Sequence, residues 1–356
     1  MIDFIELKGY KSIQSMKLEI RPLNILIGAN GSGKSNLLSF FEFLRNLFEQ
    51  NLRTYVALRG GTENFLFRGQ KETETLEFHI SFQGGKNEYL VELRANDNKE
   101  FIFTKEELIY QRDLQQIAQR GTETNLEKMG ICRARYIKTF VSYWRKYHFH
   151  DTTANSPFMR PSSLDSDCNY YYSDGGNLAA WLYHIRESAP QDYQIIVETI
   201  RSVAPYFLDF YLKPNDGNYL SLQWKDRWSD RTWGATNLSD GTLRFIALAV
   251  LFLQPSLPDT IVIDEPELGL HPSAIASLAG MMKSAAAKGT QIIAASQSSD
   301  LISYFAPEDV LAVDLIEGAS RFRRLSTEDL SEWLEDYSLG EIWERDLLNM
   351  GHINYR

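Results

Sequence analysis

The chain has 356 residues, of which 44% are hydrophobic and 24% charged, so its composition is that of a globular protein with a sizeable core. The formal net charge of −10 excludes a protein that binds polyanions over its whole surface and leaves only a local basic patch for such contacts. The two cysteines, Cys132 and Cys168, argue against a disulfide framework or a cysteine zinc site and favour a reducing cytoplasm.

No membrane partner is expected from the hydropathy pattern. The first twelve residues lack the apolar core and the cleavage site of a signal peptide. The longest apolar run, 245–253, is about half the length that spans a bilayer, and it predicts a buried helix instead. We therefore expect a cytoplasmic protein.

The first third of the chain alternates between strand and helix patterns. Strands are predicted over 2–7, 18–20 and 23–27, the last as a fully apolar central strand. Residues 36–52 carry apolar side chains at helical spacing and predict a helix. Alternating apolar residues over 76–82 and 89–93, separated by a GGKN turn, predict a β-hairpin, and 101–110 predicts a further strand.

The remaining two thirds predict a helical middle and a second α/β segment. Residues 114–210 are predicted to be mainly helical, with an irregular stretch at 151–176. Helices are predicted over 242–254 and 274–288, and buried strands over 260–263, 291–295 and 310–314. Because strands and helices alternate here, we expect parallel strands in this segment.

Residues 28–35 read GANGSGKS and match the pattern G-x-x-x-x-G-K-[ST], with a predicted strand before and a helix after. Such glycines let backbone N–H groups surround phosphates, and the helix N-terminus adds positive potential. Lys34 is expected to reach the β- and γ-phosphates of ATP, and Ser35 to ligate Mg²⁺. The candidate nucleotide ligands here are Asn30, Gly31, Ser32, Gly33, Lys34, Ser35 and Asn36.

The run IVIDEPELGLHP, residues 261–272, has the form of a Walker B motif. Asp264 ends a predicted strand, where an acid can hold the Mg²⁺ shell, and Glu265 follows as a candidate general base that polarises the attacking water. A strand that ends in a solvated aspartate is common and carries little information. The acidic pair followed by Pro266 is far more specific.

A third run, NLSDGTLR over 237–244, precedes a predicted helix. Ser239 and the backbone of Gly241 suit a γ-phosphate at a helix start. The alternative is an ordinary capped turn, since serine and aspartate are common N-caps. The presence of the other two motifs in the expected order favours the phosphate-binding interpretation.

Together with the opening FIELKGYKSI, these runs resemble the ABC-type ATPases of the RecF/SMC/OLD group, in particular the short AAA-family ATPases of bacteria. The resemblance covers about 1–95 and 205–325. It implies an α/β P-loop NTPase of the ABC-ATPase type, with a mixed central sheet, an antiparallel β subdomain and a helical insertion lobe. The expected segments are lobe I at 1–110, a mainly helical insertion at 111–210, lobe II at 211–326 and a helical tail at 327–356.

The resemblance also implies roles for further residues. Residues 268–271 correspond to the D-loop, which touches the opposite subunit. Gln297 stands where the family has its switch histidine, and an amide can hydrogen-bond phosphate or water but cannot take up a proton. The catalytic candidates are therefore Glu265, Gln297 and Lys34, with slow hydrolysis expected. The segment HFHD, 148–151, is a candidate for the lobe-connecting Q-loop, with two surface histidines as the alternative.

In such folds the signature run completes the site of a partner subunit, so two ATP molecules would hold a head-to-tail homodimer, with higher oligomers also open. The first expected function is an ATPase in DNA repair or anti-phage defence. The alternative is an ATP-gated scaffold for a separately encoded effector, a nuclease or a toxin. A transporter ATP-binding subunit is disfavoured by the long insertion and the LSDGT signature.

DNA is a candidate partner because of one basic segment, 128–150. It contains six Lys/Arg residues, no acid and interleaved aromatics, which suit phosphate contact and base stacking. The aromatics also fall at helical spacing, so a helix with a buried aromatic stripe and a solvated basic face is the alternative. Trp224, Trp228 and Trp233 are more typical of packing or a partner surface.

Overall fold

The computed structural model describes residues 1–117, 121–126, 144–153 and 155–348. The chain forms two compact units, each discontinuous in sequence. Unit 1 comprises Met1–Lys146, Pro258–Val262 and Thr290–Arg356, and unit 2 comprises Tyr147–Leu257 and Ile263–Gly289. These boundaries do not coincide with the four predicted segments, because the chain leaves and re-enters each unit.

The strands are numbered in chain order: β1 Ile2–Tyr10, β2 Ile13–Glu19, β3 Leu23–Ile27, β4 Thr75–Phe82, β5 Asn87–Ala95, β6 Phe101–Tyr110, β7 Asp113–Gln116, β8 Arg145–Tyr147, β9 Ser162–Ser163, β10 Phe207–Phe210, β11 Tyr219–Leu220, β12 Gln223–Asp226, β13 Thr232–Gly234, β14 Thr260–Asp264, β15 Gln291–Ala295, β16 Val310–Ile316 and β17 Ala319–Arg324. The α-helices are α1 Lys34–Phe48, α2 Leu52–Leu58, α3 Leu178–Ser188, α4 Pro190–Val203, α5 Asp240–Leu253, α6 Pro272–Ala287, α7 Ser299–Ile302, α8 Ser331–Leu334 and α9 Leu339–Glu344.

An antiparallel sheet with the strand order β2-β1-β4-β5-β6-β7 belongs to unit 1. The predicted hairpin is β4 and β5, in which Phe78 lies opposite Val91. Their inward-facing side chains are buried with the apolar face of α1, in one core. Alternation of apolar and polar residues therefore predicted both the strands and the buried face of this sheet.

The second large sheet has the order β17-β16-β3-β15-β14-β8. Every residue of β3 is buried. This strand pairs in parallel with β15 on one side and β16 on the other, whereas β16 and β17 are antiparallel. The sheet is thus mixed, with β3 inside it, as the continuous apolar run predicted.

Unit 2 contains helices α3 to α6, which pack in succession along the chain. Helix α5 includes the apolar run 245–253, and those residues are buried apart from its last, Leu253. The prediction of a buried helix is confirmed. Among the described residues, no helix is both long and apolar enough to cross a membrane.

Residues 114–210 are less helical than predicted in the part that the structure describes. Strand β7 extends the antiparallel sheet, with Leu114 opposite Ile109, and α3 and α4 begin only at Leu178 and Pro190. Pairing with the edge of β6 satisfies the backbone of β7, so this tertiary contact outweighs the local helical pattern.

Gln291 ties β15 to the start of the chain. Its side-chain oxygen accepts the N–H of Ile2 at 2.6 Å, and its amide nitrogen donates to the carbonyls of Ile2 at 2.8 Å and Ile20 at 3.3 Å. All three bonds are buried. One side chain therefore satisfies three backbone groups that water does not reach.

We expect Gln291→Leu to lower the free energy of unfolding by about 2–4 kcal/mol, because these backbone groups lose their partner. Urea denaturation measures the change. The matched control is Gln14→Leu, at an exposed position of β2, which should stay within about 0.5 kcal/mol of the wild type. A loss below about 1 kcal/mol for Gln291→Leu would contradict the assignment.

Candidate functional site

The loop 28–33 connects the end of β3 to the start of α1. Gly28, Gly31 and Gly33 have φ values of 151°, 80° and 111°, which residues other than glycine rarely adopt. Gly33 is the residue that immediately precedes α1, in the left-handed conformation. The glycines of the motif are thus required by the backbone path itself.

Two of these glycines are also required by close packing. A Cβ atom at Gly33 would overlap the hydroxyl of Ser320, and one at Gly28 would overlap the carbonyl oxygen of Val313. At Gly31, by contrast, nothing lies within 4 Å of that position. The loop therefore packs against β16 and β17 on one side and is open at Gly31.

A chain of hydroxyl groups supports the loop. The Ser320 Oγ donates to the Ser32 carbonyl at 2.6 Å and lies 2.6 Å from the Ser12 Oγ. The Asn36 Nδ2 donates to the same Ser12 Oγ at 2.7 Å. Asn36, a predicted nucleotide ligand, thus bonds to the support of the loop in this structure. No sequence motif indicated the supporting roles of Ser12 and Ser320.

Lys34 folds back into the loop that precedes it. Its Nζ donates to the carbonyls of Gly28 at 2.6 Å and Ala29 at 3.1 Å, and the side chain is buried. A fixed ammonium group is therefore held beside backbone N–H groups at the N-terminus of a 15-residue helix. Both the charge and the helix dipole favour an anion here.

Gln297 lies at the same edge of the sheet as this loop. The register pairs Ala295 with Leu26, and the Ser296 N–H donates to the Leu26 carbonyl at 3.0 Å. Because β3 and β15 run in parallel, Gln297 follows β15 where Gly28 follows β3. The Gln297 residue is exposed.

The acidic pair lies at the end of β14. Residues 260–263 are buried, and Asp264 is the last residue of the strand. Glu265 has a φ of 42°, a left-handed conformation that costs a residue with a side chain about 1–2 kcal/mol. Its carbonyl accepts the N–H of Leu268 at 3.2 Å, which closes a turn. Such strained residues cluster at functional sites.

Ser239 is the N-cap of α5. Its Oγ accepts the N–H of Thr242 at 3.2 Å, so the capped turn considered as the alternative is present. The Ser239 residue is nevertheless exposed at the N-terminus of a 14-residue helix. A Cβ atom at Gly241 would overlap the carbonyl oxygen of Gly269, which shows that the signature turn touches the predicted D-loop.

Arg244 joins three segments of unit 2, and no sequence motif assigned it a role. Its Nη1 donates to the Leu268 carbonyl at 3.0 Å. Its Nε donates to the Phe149 carbonyl at 3.2 Å and its Nη2 to the His150 carbonyl at 2.8 Å. The arginine was visible at the end of NLSDGTLR, but nothing in the sequence pointed to these partners.

His150 lies in the electrostatic field of the acidic pair. Burial lowers its pKa below the usual 6.5, while Asp264 and Glu265 act in the opposite direction and raise it. Arg244 adds a further lowering effect. The segment 148–151, a candidate Q-loop, is thus electrostatically coupled to both acids.

The basic segment 128–150 is only partly described. Lys128, Arg133, Arg135 and Lys138 lie outside the described residues, whereas Arg145 and Lys146 lie in β8. Of the tryptophans considered above, Trp224 is buried and Trp228 is 73% exposed. The structure therefore assigns packing to Trp224 and a surface position to Trp228.

The glycine loop, the mixed sheet and the antiparallel sheet define a P-loop protein of the α/β class, as predicted. Residues 23–303, more than half of the chain, match the family described as "AAA domain, putative AbiEii toxin, Type IV TA system". The chain belongs to this AAA family, in agreement with the resemblance of its motifs to AAA-family ATPases. No curated protein matches it significantly.

Solved SMC heads are similar in fold. The SMC head bound to the C-winged helix domain of ScpA shares 17% identity at a TM-score of 0.62, over 93% of this chain and 99% of that one. The Smc head domain with an extended coiled coil bound to the C-terminal domain of ScpA, from Pyrococcus furiosus, shares 14% identity at 0.55, over 94% and 99%. The fold of this chain is therefore similar to that of an SMC head.

We expect Gly33→Ala to lower the free energy of unfolding by about 2–4 kcal/mol, because the new methyl group combines a strained φ with an overlap at Ser320. The control is Gly84→Ala, which has a φ of 68° and no atom within 4 Å of the Cβ position. It should cost about 1–2 kcal/mol. Equal losses in the two variants, measured by urea denaturation, would contradict close packing at Gly33.

The lowered pKa of His150 predicts a pH dependence of stability. The unfolded chain, with a pKa near 6.5, binds the proton more tightly than the folded protein. The contribution of neutral His150 to the free energy of unfolding is therefore complete above about pH 6.5 and is lost as the pH falls through the lowered pKa. Between about pH 7.5 and 5.5, without Mg²⁺ or nucleotide, the Tm of the wild type should fall more than that of His150→Gln. Parallel profiles would contradict this.

Proposed function

We propose that this protein binds Mg-ATP and hydrolyses it at the interface of a head-to-tail homodimer. One observation carries the proposal: the open loop 28–33, braced by Ser320, holds the Lys34 ammonium at the N-terminus of α1. This arrangement binds polyphosphate through backbone N–H groups, a fixed cation and the helix dipole.

The residues assigned to Mg²⁺ have the chemistry that this ion prefers. Ser35, the second residue of α1, supplies a hydroxyl oxygen, and Asp264 supplies a carboxylate oxygen. Hard oxygen donors, with water and phosphate oxygens in the remaining positions, are typical of Mg²⁺ in NTPases. An ion held by Ser35 and Asp264 would supply positive charge against the charge that develops on the phosphates.

Glu265 is the proposed general base, and Gln297 the proposed switch residue. Glu265 directly follows the last residue of β14 and has a left-handed backbone, and we propose that its carboxylate orients and polarises the attacking water. The Gln297 amide hydrogen-bonds water or phosphate but does not take up a proton. We therefore propose slow turnover, suited to a switch rather than to a motor.

The dimeric arrangement rests on the signature turn. Ser239 and Gly241 lie at the start of α5, whose dipole favours an anion, and Ser239 is exposed. We propose that they contact the γ-phosphate held by the partner subunit. Leu268 of the D-loop is 44% exposed, which suits a residue that packs against a second copy.

Two processes are candidates for what this cycle drives. A DNA-related process, in repair or anti-phage defence, is supported by the basic segment 128–150. Gating of a separately encoded effector, such as a toxin or a nuclease, is supported by the toxin–antitoxin context in the description of the family. Slow hydrolysis suits the second candidate as well as the first.

We expect Glu265→Gln to lower the kcat for ATP by about 100-fold or more and to accumulate an ATP-bound dimer, since the base is lost and the ligands are kept. Lys34→Ala should lose ATP binding and dimerisation together. Light scattering with and without Mg-ATP, and a phosphate-release assay, measure both effects. Wild-type turnover by Glu265→Gln would exclude Glu265 as the base.

Adding duplex or single-stranded DNA at low salt distinguishes control of ATP turnover by DNA from control by an effector. If DNA is a partner, it should raise turnover several-fold, and neutralising Arg133, Arg135 and Arg145 should remove the increase. Replacing the exposed Arg53, Arg94 and Arg227 by glutamine is the control for net charge. Turnover that is insensitive to every DNA form would favour the effector.

A further inference from the structure

The guanidinium of Arg244 binds backbone that belongs to two other segments of unit 2. One carbonyl, that of Leu268, is in the predicted D-loop, and the other two, of Phe149 and His150, are in or next to the 148–151 segment. A planar guanidinium offers five donors in a fixed fork, so one side chain can hold three carbonyls at once. An ammonium group cannot reproduce this geometry.

The Leu268 carbonyl, one of the three that Arg244 binds, belongs to the turn that contains the proposed base. The Leu268 N–H donates to the Glu265 carbonyl at 3.2 Å, and the Arg244 Nη1 donates to the Leu268 carbonyl at 3.0 Å. Glu265 keeps its left-handed φ of 42° within this turn. A strained conformation persists only where its surroundings enforce it, and Arg244 is such a restraint.

The other two carbonyls that Arg244 binds belong to a segment that is itself anchored by packing. The Phe149 ring packs against Phe158 and Tyr171, with ring centroids 5.9 Å and 6.0 Å away. On the signature side, the backbone of Gly241 touches that of Gly269. Arg244 therefore lies between a fixed aromatic cluster, the signature turn and the D-loop.

We infer that Arg244 is a positioning residue that couples the signature helix to the turn bearing Glu265. This inference rests on the proposed function. When Ser239 at the start of α5 engages the partner's nucleotide, Arg244 on the first turns of the same helix transmits the engagement to Leu268 and thereby orients Glu265. Hydrolysis is in this way tied to dimer formation.

The inference predicts a loss of turnover without a loss of ATP binding. Arg244→Lys and Arg244→Gln should lower the kcat about 10- to 100-fold, because small misplacements of a catalytic group have effects of this size. The affinity for a fluorescent ATP analogue should change less than about threefold, since the loop 28–35 is intact. A positive charge alone at position 244 should not restore turnover. The kcat of Arg244→Lys should therefore be no higher than that of Arg244→Gln.

A double variant tests whether the effect passes through Glu265. If it does, Arg244→Lys should slow Glu265→Gln by less than about twofold, since effects on one catalytic unit are not additive. The matched control is Arg201→Lys, because Arg201 also donates two N–H groups to a backbone carbonyl, that of Leu208, in the same unit. It should leave the kcat unchanged.

Hydrogen exchange in the nucleotide-free protein gives a readout independent of turnover. Arg244→Lys should speed exchange over 265–270 by about tenfold or more, whereas Arg201→Lys should not. If the wild type hydrolyses ATP and Arg244→Lys keeps its kcat, the coupling role is overturned. If the wild type shows neither ATP binding nor turnover, the proposed function fails, and unchanged exchange at 265–270 would overturn the positioning role separately.

Discussion

The structure depends on one backbone constraint, the turn that joins a fully buried strand to the N-terminus of α1 within six residues. The turn needs left-handed backbone at Gly28 and Gly33. At both positions the neighbouring atoms also leave no room for a Cβ atom. Strands β16 and β17 press against it, and the hydroxyls of Ser12 and Ser320 hold it. The loop is therefore shaped before any phosphate binds, which reduces the cost of binding in ordering entropy.

A similar principle governs the segment around the acidic pair. Glu265 is held in an unfavourable conformation by a short turn, and that turn is held by Arg244 from the signature helix. The strained backbone of Glu265 thereby depends on contacts made by Arg244, which lies elsewhere in the unit. On the proposed roles of Arg244 and Glu265, a distant event would alter the position of the proposed base without any change in the nucleotide loop.

Much of the fold was accessible from local patterns. The alternation in β4 and β5, the apolar run of β3 and the buried helix α5 were all predicted, because the period of apolar residues reports the buried face directly. The strand β7 was missed. Its strand conformation depends on pairing with the edge of β6, and no local pattern in the chain carries that information.

The sequence by itself determined which residues are candidates for the site, since Lys34, Asp264 and Glu265 follow from residue type and spacing within short segments. Only the tertiary structure decided what supports them. Ser320 is far from Ser32 in the chain, and Arg244 reaches carbonyls of Phe149 and Leu268 that are distant in sequence. Backbone carbonyls are identical in every residue, so a side chain that binds them leaves no pattern in its partners, and folding alone selects them.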